Sequence, residues 1–279
     1  MTNIISFPGL GIGEMAIKRV ALSFGPVTVY WYGLIICLGL ILGICYLYYR
    51  MRSYGMTSDN LTDIALFTIP SAIVGARLYY VLTSLESYHS LYEAIAIWEG
   101  GLAIYGAVIA GAIAVYVVCR VKKFPTLKIY DSIAPAVMLG QIAGRWGNFF
   151  NAEAYGSAKV YEFFGLSLDI TEFSAQNPLR MVINGMMVHP TFLYESAWNA
   201  LGFVLINIFW KKKRFDGQVL LWYISWYGLG RCIIEGFRTD SLYVGSVRIS
   251  QLVGIVCFAV GVILSVYFNI KARNKTTEE

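Results

Sequence analysis

The chain has 279 residues, of which 57% are hydrophobic and 14% charged, and its mean hydropathy is +0.60. That is too apolar for a water-soluble domain of this length and belongs to a polytopic membrane protein. The formal charge of +5 is gathered in short connections between apolar stretches, so it reports membrane topology and not a nucleic-acid partner.

Residues 1–26 hold two prolines, several glycines, Glu14 and the pair Lys18-Arg19. Without a compact apolar run they do not read as a cleavable signal peptide, and are expected to lie along the outer membrane surface. Windows long enough to cross a bilayer fall near 27–49, 61–85, 101–119, 131–146, 192–210, 217–237 and 249–269. The fourth is short and interrupted by Ser132, Pro135 and Gln141. Residues 147–190 form the longest polar connection, read as a small extracytoplasmic cap, with a hairpin expected around Asn184-Gly185. The expectation is an all-α polytopic membrane protein with about seven transmembrane helices and that cap. Its order is an extracytoplasmic segment at 1–26, helices one to four in 27–146, the cap at 147–190, helices five to seven in 191–270, and a tail at 271–279.

Lysines and arginines give the orientation. Arg50 and Arg52, then Arg120, Lys122, Lys123 and Lys128, then Lys211 to Arg214, then Lys271, Arg273 and Lys275 fall on one side. The other side has only scattered cations, among them Lys159 and Arg180. This puts the N-terminus outside and the C-terminal tail in the cytoplasm. The five cysteines lie in or at the ends of apolar spans, with no C-x-x-C spacing, and read as buried thiols without disulfide or metal.

The polar residues within or beside the spans carry the functional signal, because ionisable groups in a membrane are costly. In the stretch Gly144 to Gly156, Arg145, Asn148, Asn151 and Glu153 are set among aromatics and glycines. An interface anchor explains an Arg–Trp pair, but not four polar groups in one run. Arginine offers a planar fork of donors suited to phosphate or carboxylate. The two asparagines both donate and accept, Glu153 can hold the cation, and glycines permit close backbone approach. The stretch reads as an oxyanion-binding kit at a membrane edge.

Other spans bring polar groups toward the same outer side. Tyr32 sits in an aromatic run that an interface belt would also explain. Arg77 lies near the outer end of the second span, where a snorkelling structural arginine and a ligand-binding one fit equally. Tyr105 follows Gly100-Gly101 at the start of the third span. His189-Pro190 opens the fifth, followed by Tyr194-Glu195; His189 reads first as a capping or packing residue, and His89 is assigned no role. Arg231, Glu235 and Arg238 close the sixth at i, i+4 and i+7, one face of a helix. One carboxylate between two cations leaves positive charge for an anionic ligand. The cluster as a whole is basic and aromatic, suited to an anionic phospholipid.

Residues 144–156 match every fixed position of G-R-x-G-N-F-x-N-x-E-x-x-G, and the chain resembles the bacterial prolipoprotein diacylglyceryl transferases. Similar family strings occur at Trp31-Tyr32-Gly33, Gly75–Tyr80, Trp98–Gly106, His189–Glu195 and Arg231–Arg238, so the resemblance runs through every span but the last. It implies transfer of the sn-1,2-diacylglyceryl group of phosphatidylglycerol to the lipobox cysteine thiol of preprolipoproteins, with release of glycerol 1-phosphate. It also implies a functionally important Tyr32 and a bacterial inner-membrane location. Many members carry His where this chain has Tyr105. For that reaction Arg145 and Arg231 are expected on the phosphate, with Asn148 and Tyr32 as hydrogen-bond partners. Glu153, Glu235 and Arg238 would orient them, and Asn151, Gly156 and Arg77 complete the substrate-binding set. Tyr105 is the candidate for assisting the thiol. No cofactor is expected, and with two histidines in separate loops no metal either. The expected partners are phosphatidylglycerol, preprolipoprotein signal peptides and membrane lipids, with no nucleic acid. The competing class is a non-enzymatic carrier or transporter of anionic phospholipid, against which the one-sided placement of the cluster argues.

Overall fold

The computed structural model describes every residue except Met1, Pro26, His89 and Glu279, and the side chains of all of these but Ser87, Glu99 and residues 275–278. His89 therefore lies outside the described residues, as do Pro26 and the side chain of Glu99. In chain order, strands β1 (Thr2–Phe7), β2 (Ile12–Lys18), β3 (Val20–Phe24) and β4 (Val27–Tyr30) precede helix α1 (Trp31–Arg52). Helices α2 (Ser58–Thr83), α3 (Leu91–Ile95), α4 (Ile104–Lys122) and α5 (Thr126–Asn151) follow. Next come β5 (Gly156–Ser157), β6 (Val160–Phe163), β7 (Leu166–Asp169), α6 (Thr171–Gln176), β8 (Met181–Ile183) and β9 (Met186–His189). Helices α7 (Thr191–Phe209) and α8 (Gln218–Ile234), strands β10 (Tyr243–Val244) and β11 (Val247–Arg248), and helix α9 (Ile249–Glu278) complete the chain.

Among the described residues, α1, α2, α4, the stretch Thr191–Lys212 that contains α7, and the Ile249–Asn274 part of α9 are long and apolar enough to cross a membrane. The other two expected spans also form helices. One is α5, which carries Pro135 and several polar residues; the other is α8, 17 residues long. The chain is mostly helical, as polytopic membrane proteins are, but it is not all-α. Hydropathy windows register only long apolar runs, so they pass over short strands that bury alternate residues.

The chain divides into two compact units, one made of residues 1–46 and 133–279, the other of 47–132. In the first, a five-stranded sheet runs in the order β2-β1-β8-β9-β5. Ile5 pairs with Ile183 and Ser6 with Val182, so the N-terminal segment shares a sheet with the 147–190 connection. Ile5, Phe7, Met181, Ile183, Val188 and Phe192 bury their side chains in one cluster, with Phe149 packed against it. The hairpin expected at Asn184-Gly185 is present. Both residues adopt positive φ, 49° and 83°, and Ile183 pairs with Met186, as a two-residue type I′ turn requires. Residues 27–30, read from hydropathy as the start of the first span, instead form β4 against β3. Their Val-Thr-Val-Tyr sequence favours a strand.

Helices α7 and α8 are clasped by two tryptophans. The Trp198 and Trp226 rings stack at 4.4 Å, and each indole N–H donates to the other residue's backbone carbonyl at 2.9 Å. Each bond satisfies a polar group that would otherwise be costly inside a membrane.

In the second unit α2 and α4 pack through glycines. A Cβ on Gly75 would stand 2.7 Å from the Gly106 carbonyl oxygen, the close approach that small residues allow between membrane helices. Thr57 and Asn60 close a capping box at the start of α2, satisfying two otherwise free backbone donors.

Candidate active site

The signature stretch is built around the end of α5. This helix continues past residue 146 to Asn151, so Arg145 and Asn148 lie on successive turns and Arg145 Nη1 donates to Asn148 Oδ1 at 3.2 Å. Asn148 and Asn151 both donate to Glu153 Oε1, at 3.0 and 3.1 Å. Glu153 is thereby fixed by carboxamides. The backbone turns back through Ala152 and Ala154, whose φ values of 51° and 56° are left-handed. Such conformations cost about 1–2 kcal/mol for a residue with a Cβ, so the surroundings must hold this turn in place. Arg19 does part of this, donating to the Asn151 carbonyl at 3.1 and 2.7 Å. Thr191 Oγ1 donates to the Ala154 carbonyl at 2.5 Å.

Two glycines explain how neighbouring elements come so near. The Tyr32 ring lies over Gly147, where a Cβ would be 2.6 Å from its Cδ2. Gly156 pairs with His189 and bridges to Arg238. A Cβ there would be 2.8 Å from the His189 Cβ and 3.0 Å from that of Phe237. The absence of a side chain at Gly156 thus lets the strand tie the Arg238 backbone to the sheet.

The centre of the site is Glu195, one turn into α7. Its Oε2 meets Arg145 Nη2 at 2.5 Å, while its Oε1 faces Arg231 Nη1 at 3.5 Å and Arg238 Nη1 at 3.3 Å. Glu235 Oε2 lies 2.7 Å from Arg231 Nη2 and 3.8 Å from Arg238 Nε. These are charge contacts without hydrogen-bond alignment at that oxygen. Asp240 takes Arg238 in a fork, at 3.0 and 2.7 Å. Glu195 and Glu235 are almost fully buried, at 7% and 1% side-chain exposure, whereas Arg145 and Arg231 keep 22% and 15%. Three guanidiniums thus share two buried carboxylates and the half-exposed Asp240. The two arginines that retain open surface are those assigned to the phosphate from the sequence.

Burial alone would lower the Arg238 pKa, but Asp240, Glu195 and Glu235 outweigh it and raise the guanidinium above its ordinary value. For Asp240, burial likewise opposes the charged form, but Arg238 prevails and the carboxyl is held below its usual range. This pair stays ionised and rigid.

One expectation needs correction. Arg231, Glu235 and Arg238 do not lie along one continuous helix: α8 ends at Ile234, Glu235–Phe237 form a single 3-10 turn and Arg238 is extended. The tighter turn still brings both arginines onto Glu235. Gly236 makes room for it, since a Cβ there would be 2.6 Å from the Glu162 carbonyl oxygen. A second carboxylate, Glu195, and a third, Asp240, partner the second arginine.

Three further residues were not singled out by sequence reasoning. Arg248 is buried and donates to the carbonyls of Glu235 and Arg238 at 2.7 and 2.5 Å and to Ser241 Oγ at 2.6 Å. It also pairs with Glu162 at 3.1 Å. Gln251 bridges the Glu162 and Cys232 carbonyls. Together Arg248, Glu162 and Gln251 pin the turn that carries Arg238. Only a polar pair at the start of the last apolar stretch, Arg248 ending β11 and Gln251 in the first turn of α9, could have signalled them.

His189 is buried in a hydrogen-bonded group. Its Nε2 lies 2.8 Å from Ser174 Oγ, and its Nδ1 is 3.0 Å from the Tyr194 hydroxyl, which accepts from Asn177 at 2.9 Å. Burial lowers its pKa below the ordinary 6.5. A neutral, enclosed imidazole braces the start of α7, and with it Glu195.

Arg77 and Tyr105 belong to the second unit. Arg77 is buried and uses four of its five donors on backbone carbonyls, those of Ala94, Gly100, Gly101 and Glu93. Gly100 and Gly101 both adopt positive φ, and a Cβ on Gly101 would be 2.6 Å from Arg77 Nη1. Tyr105 is half-buried in the first turn of α4, its ring 6.3 Å from that of Tyr79. Among the described residues no group of three or more His, Cys, Asp or Glu side chains is placed to hold a metal ion.

The first unit therefore presents preorganised guanidiniums, held by buried carboxylates, with Asn148 and Tyr32 beside them. Fixed donors in a poorly solvated site stabilise an oxyanion strongly. The family model described as prolipoprotein diacylglyceryl transferase matches residues 19–267. A phosphatidylglycerol–prolipoprotein diacylglyceryl transferase of Oceanobacillus iheyensis is 43% identical over 269 residues, 94% of this chain and 90% of that protein. One from Ligilactobacillus salivarius is 43% identical, covering 87% of this chain and 90% of its own length. Phosphatidylglycerol–prolipoprotein diacylglyceryl transferase 1 of Clostridium perfringens is 41% identical, covering 92% and 96%. With the match running almost end to end and including every element that builds the arginine site, the chain belongs to the prolipoprotein diacylglyceryl transferase family.

Proposed function

We propose that the chain is a phosphatidylglycerol–prolipoprotein diacylglyceryl transferase. It moves the sn-1,2-diacylglyceryl group from phosphatidylglycerol to the lipobox cysteine of a preprolipoprotein. The cysteine sulfur attacks the glyceryl carbon esterified to phosphate. A C–S bond forms, the C–O bond breaks with its electron pair leaving on the oxygen of glycerol 1-phosphate, and the thiol proton passes to water or to the released phosphate. The observation that carries this reading is the gathering of Arg145, Arg231 and Arg238 on the single buried carboxylate of Glu195.

Negative charge grows on the departing phosphate, and cations held in place beforehand stabilise it without reorganising. Arg145 and Arg231, with their open surface, take the phosphate. Asn148 and Tyr32 flank them. Glu153, Asn151, Glu235 and Arg238 act by fixing the donors, and Gly156 by fixing Arg238. Arg77 serves the segment 93–101, to whose backbone carbonyls four of its donors are committed. A free thiol titrates near ~8.5, and neighbouring guanidiniums favour its thiolate; Tyr105 is the candidate for assisting that step. The reading includes seven spans, with α5 and α8 completing the set, and an N-out, C-in orientation in the bacterial inner membrane. The sheet and the 147–190 connection then form an extracytoplasmic cap.

The test uses purified protein, phosphatidylglycerol labelled in its head-group glycerol, and a lipobox peptide with Cys or Ser at the acceptor position. Release of labelled glycerol phosphate is expected only with the Cys peptide. Saturable lipid binding without release would instead make the chain a carrier.

A further inference from the structure

Beside Glu195 and Arg231, α7 and α8 enclose a small pocket lined also by Trp198, Asn199, Tyr227 and Gly230. Its volume of about 10 Å³ suits a single hydroxyl group or water. Asn199 is 5% exposed, and its Oδ1 is buried with no hydrogen-bond partner. A carboxamide oxygen left without a donor lowers stability, and an aliphatic side chain would suit a membrane helix seam better. An unsatisfied buried acceptor on a residue that lines a pocket points to a donor that arrives with a ligand, for which the carboxamide has to turn toward the pocket. The neighbours supply the complementary chemistry: Arg231 can donate to an alcohol oxygen, and Glu195 and Asn199 can accept its hydrogen.

We propose that this pocket seats a hydroxyl of the lipid's glycerol head group, and that Asn199 is a specificity-determining residue. Its Oδ1 accepts from the alcohol while Arg231 holds the phosphate a few bonds away. The inference rests on the reading above that phosphatidylglycerol binds at the arginines. Anionic phospholipids of the same charge but without a head-group alcohol would leave Asn199 Oδ1 unpaired and bind more weakly.

The experiment measures binding of phosphatidylglycerol and of phosphatidylethanol, a phosphodiester without the alcohol, to the purified full-length protein in detergent. Wild type is compared with Asn199→Leu and Asn199→Asp, and the thermal midpoint and peptide transfer are recorded for each. Wild type is expected to prefer phosphatidylglycerol by roughly tenfold, the scale of one hydrogen bond. Asn199→Leu should bring that preference within about twofold by weakening phosphatidylglycerol alone, with an unchanged or higher thermal midpoint. Asn199→Asp keeps an acceptor in place and should keep the preference. If Asn199→Leu weakens both lipids equally, or keeps the preference while transfer continues, the pocket holds only a water and the inference fails with the transferase reading intact. Binding of neither lipid by wild type would overturn both.

Discussion

Arg77 and the Arg145–Arg231 pair are all cationic groups within apolar helices, yet they are satisfied in opposite ways. Arg77 spends four donors on backbone carbonyls, those of Ala94, Gly100, Gly101 and Glu93. Arg145 and Arg231 lean on the side chains of Glu195 and Glu235 and keep part of their surface open. Backbone carbonyls saturate a guanidinium and fix a loop. A carboxylate aims a guanidinium while leaving donors free for a second anion. Burial of an arginine is therefore a weak functional sign by itself; the kind of acceptor it meets says more.

The most forceful way to break this comparison is to remove the arginines. Arg145→Ala and Arg231→Ala should each cut turnover on the order of 10²–10³-fold at a nearly unchanged thermal midpoint. Lysine should rescue poorly, because a point charge cannot replace the planar fork. Arg77→Ala should do the reverse, losing stability on the order of 3 kcal/mol while the folded fraction keeps most of its turnover. Equal losses of turnover per folded molecule would abolish the distinction.

Glu195 sharpens it from the other side. Glu195→Gln leaves three guanidiniums short of one charge, so anionic lipid should bind as tightly or more tightly while turnover drops roughly 10–100-fold. Glu195→Asp should recover part of it. A weakened affinity with intact turnover would mean that Glu195 does not aim the cluster.

A smaller effect is expected at Gly156, where Gly156→Ala must displace His189 or Phe237 and should cost about 1–3 kcal/mol, read in the unfolding midpoint. The smallest concerns His189. Its folded pKa is lowered from 6.5 by burial, so below about pH 6.5 the unfolded chain takes up a proton that the folded chain refuses. Stability should then fall as pH drops from 6.5 toward the folded value. The difference in thermal midpoint between pH 7.5 and 5.5 should shrink in His189→Asn; an unchanged difference would assign the pH response to other groups.

Much of the site was legible because its chemistry is concentrated locally. Arg145, Asn148, Asn151 and Glu153 sit in one short stretch, and their mutual hydrogen bonds follow from helix spacing and the turn after it. Glu195 was visible as a residue but not as the centre, since its three arginine contacts come from two other stretches of chain, around residue 145 and at 231–238. Arg248 stands alone in the sequence, with no polar motif around it to mark it. The helices followed from hydropathy, whereas β1 and β4 did not. A strand that gains its stability from a partner such as β8, far away in sequence, leaves little trace in an apolar window. The Asn184-Gly185 hairpin was the exception, because its turn chemistry is local.

The clasp of Trp198 and Trp226 has an optical consequence. Two indoles stacked at 4.4 Å with their planes 19° apart share their excited states, which gives a paired band of opposite signs in circular dichroism. Since each ring is also tied to the other helix's backbone, the band disappears when α7 and α8 separate, even if both remain helical. The molecule thus carries its own unlabelled gauge of the helix seam beside which its arginines are held.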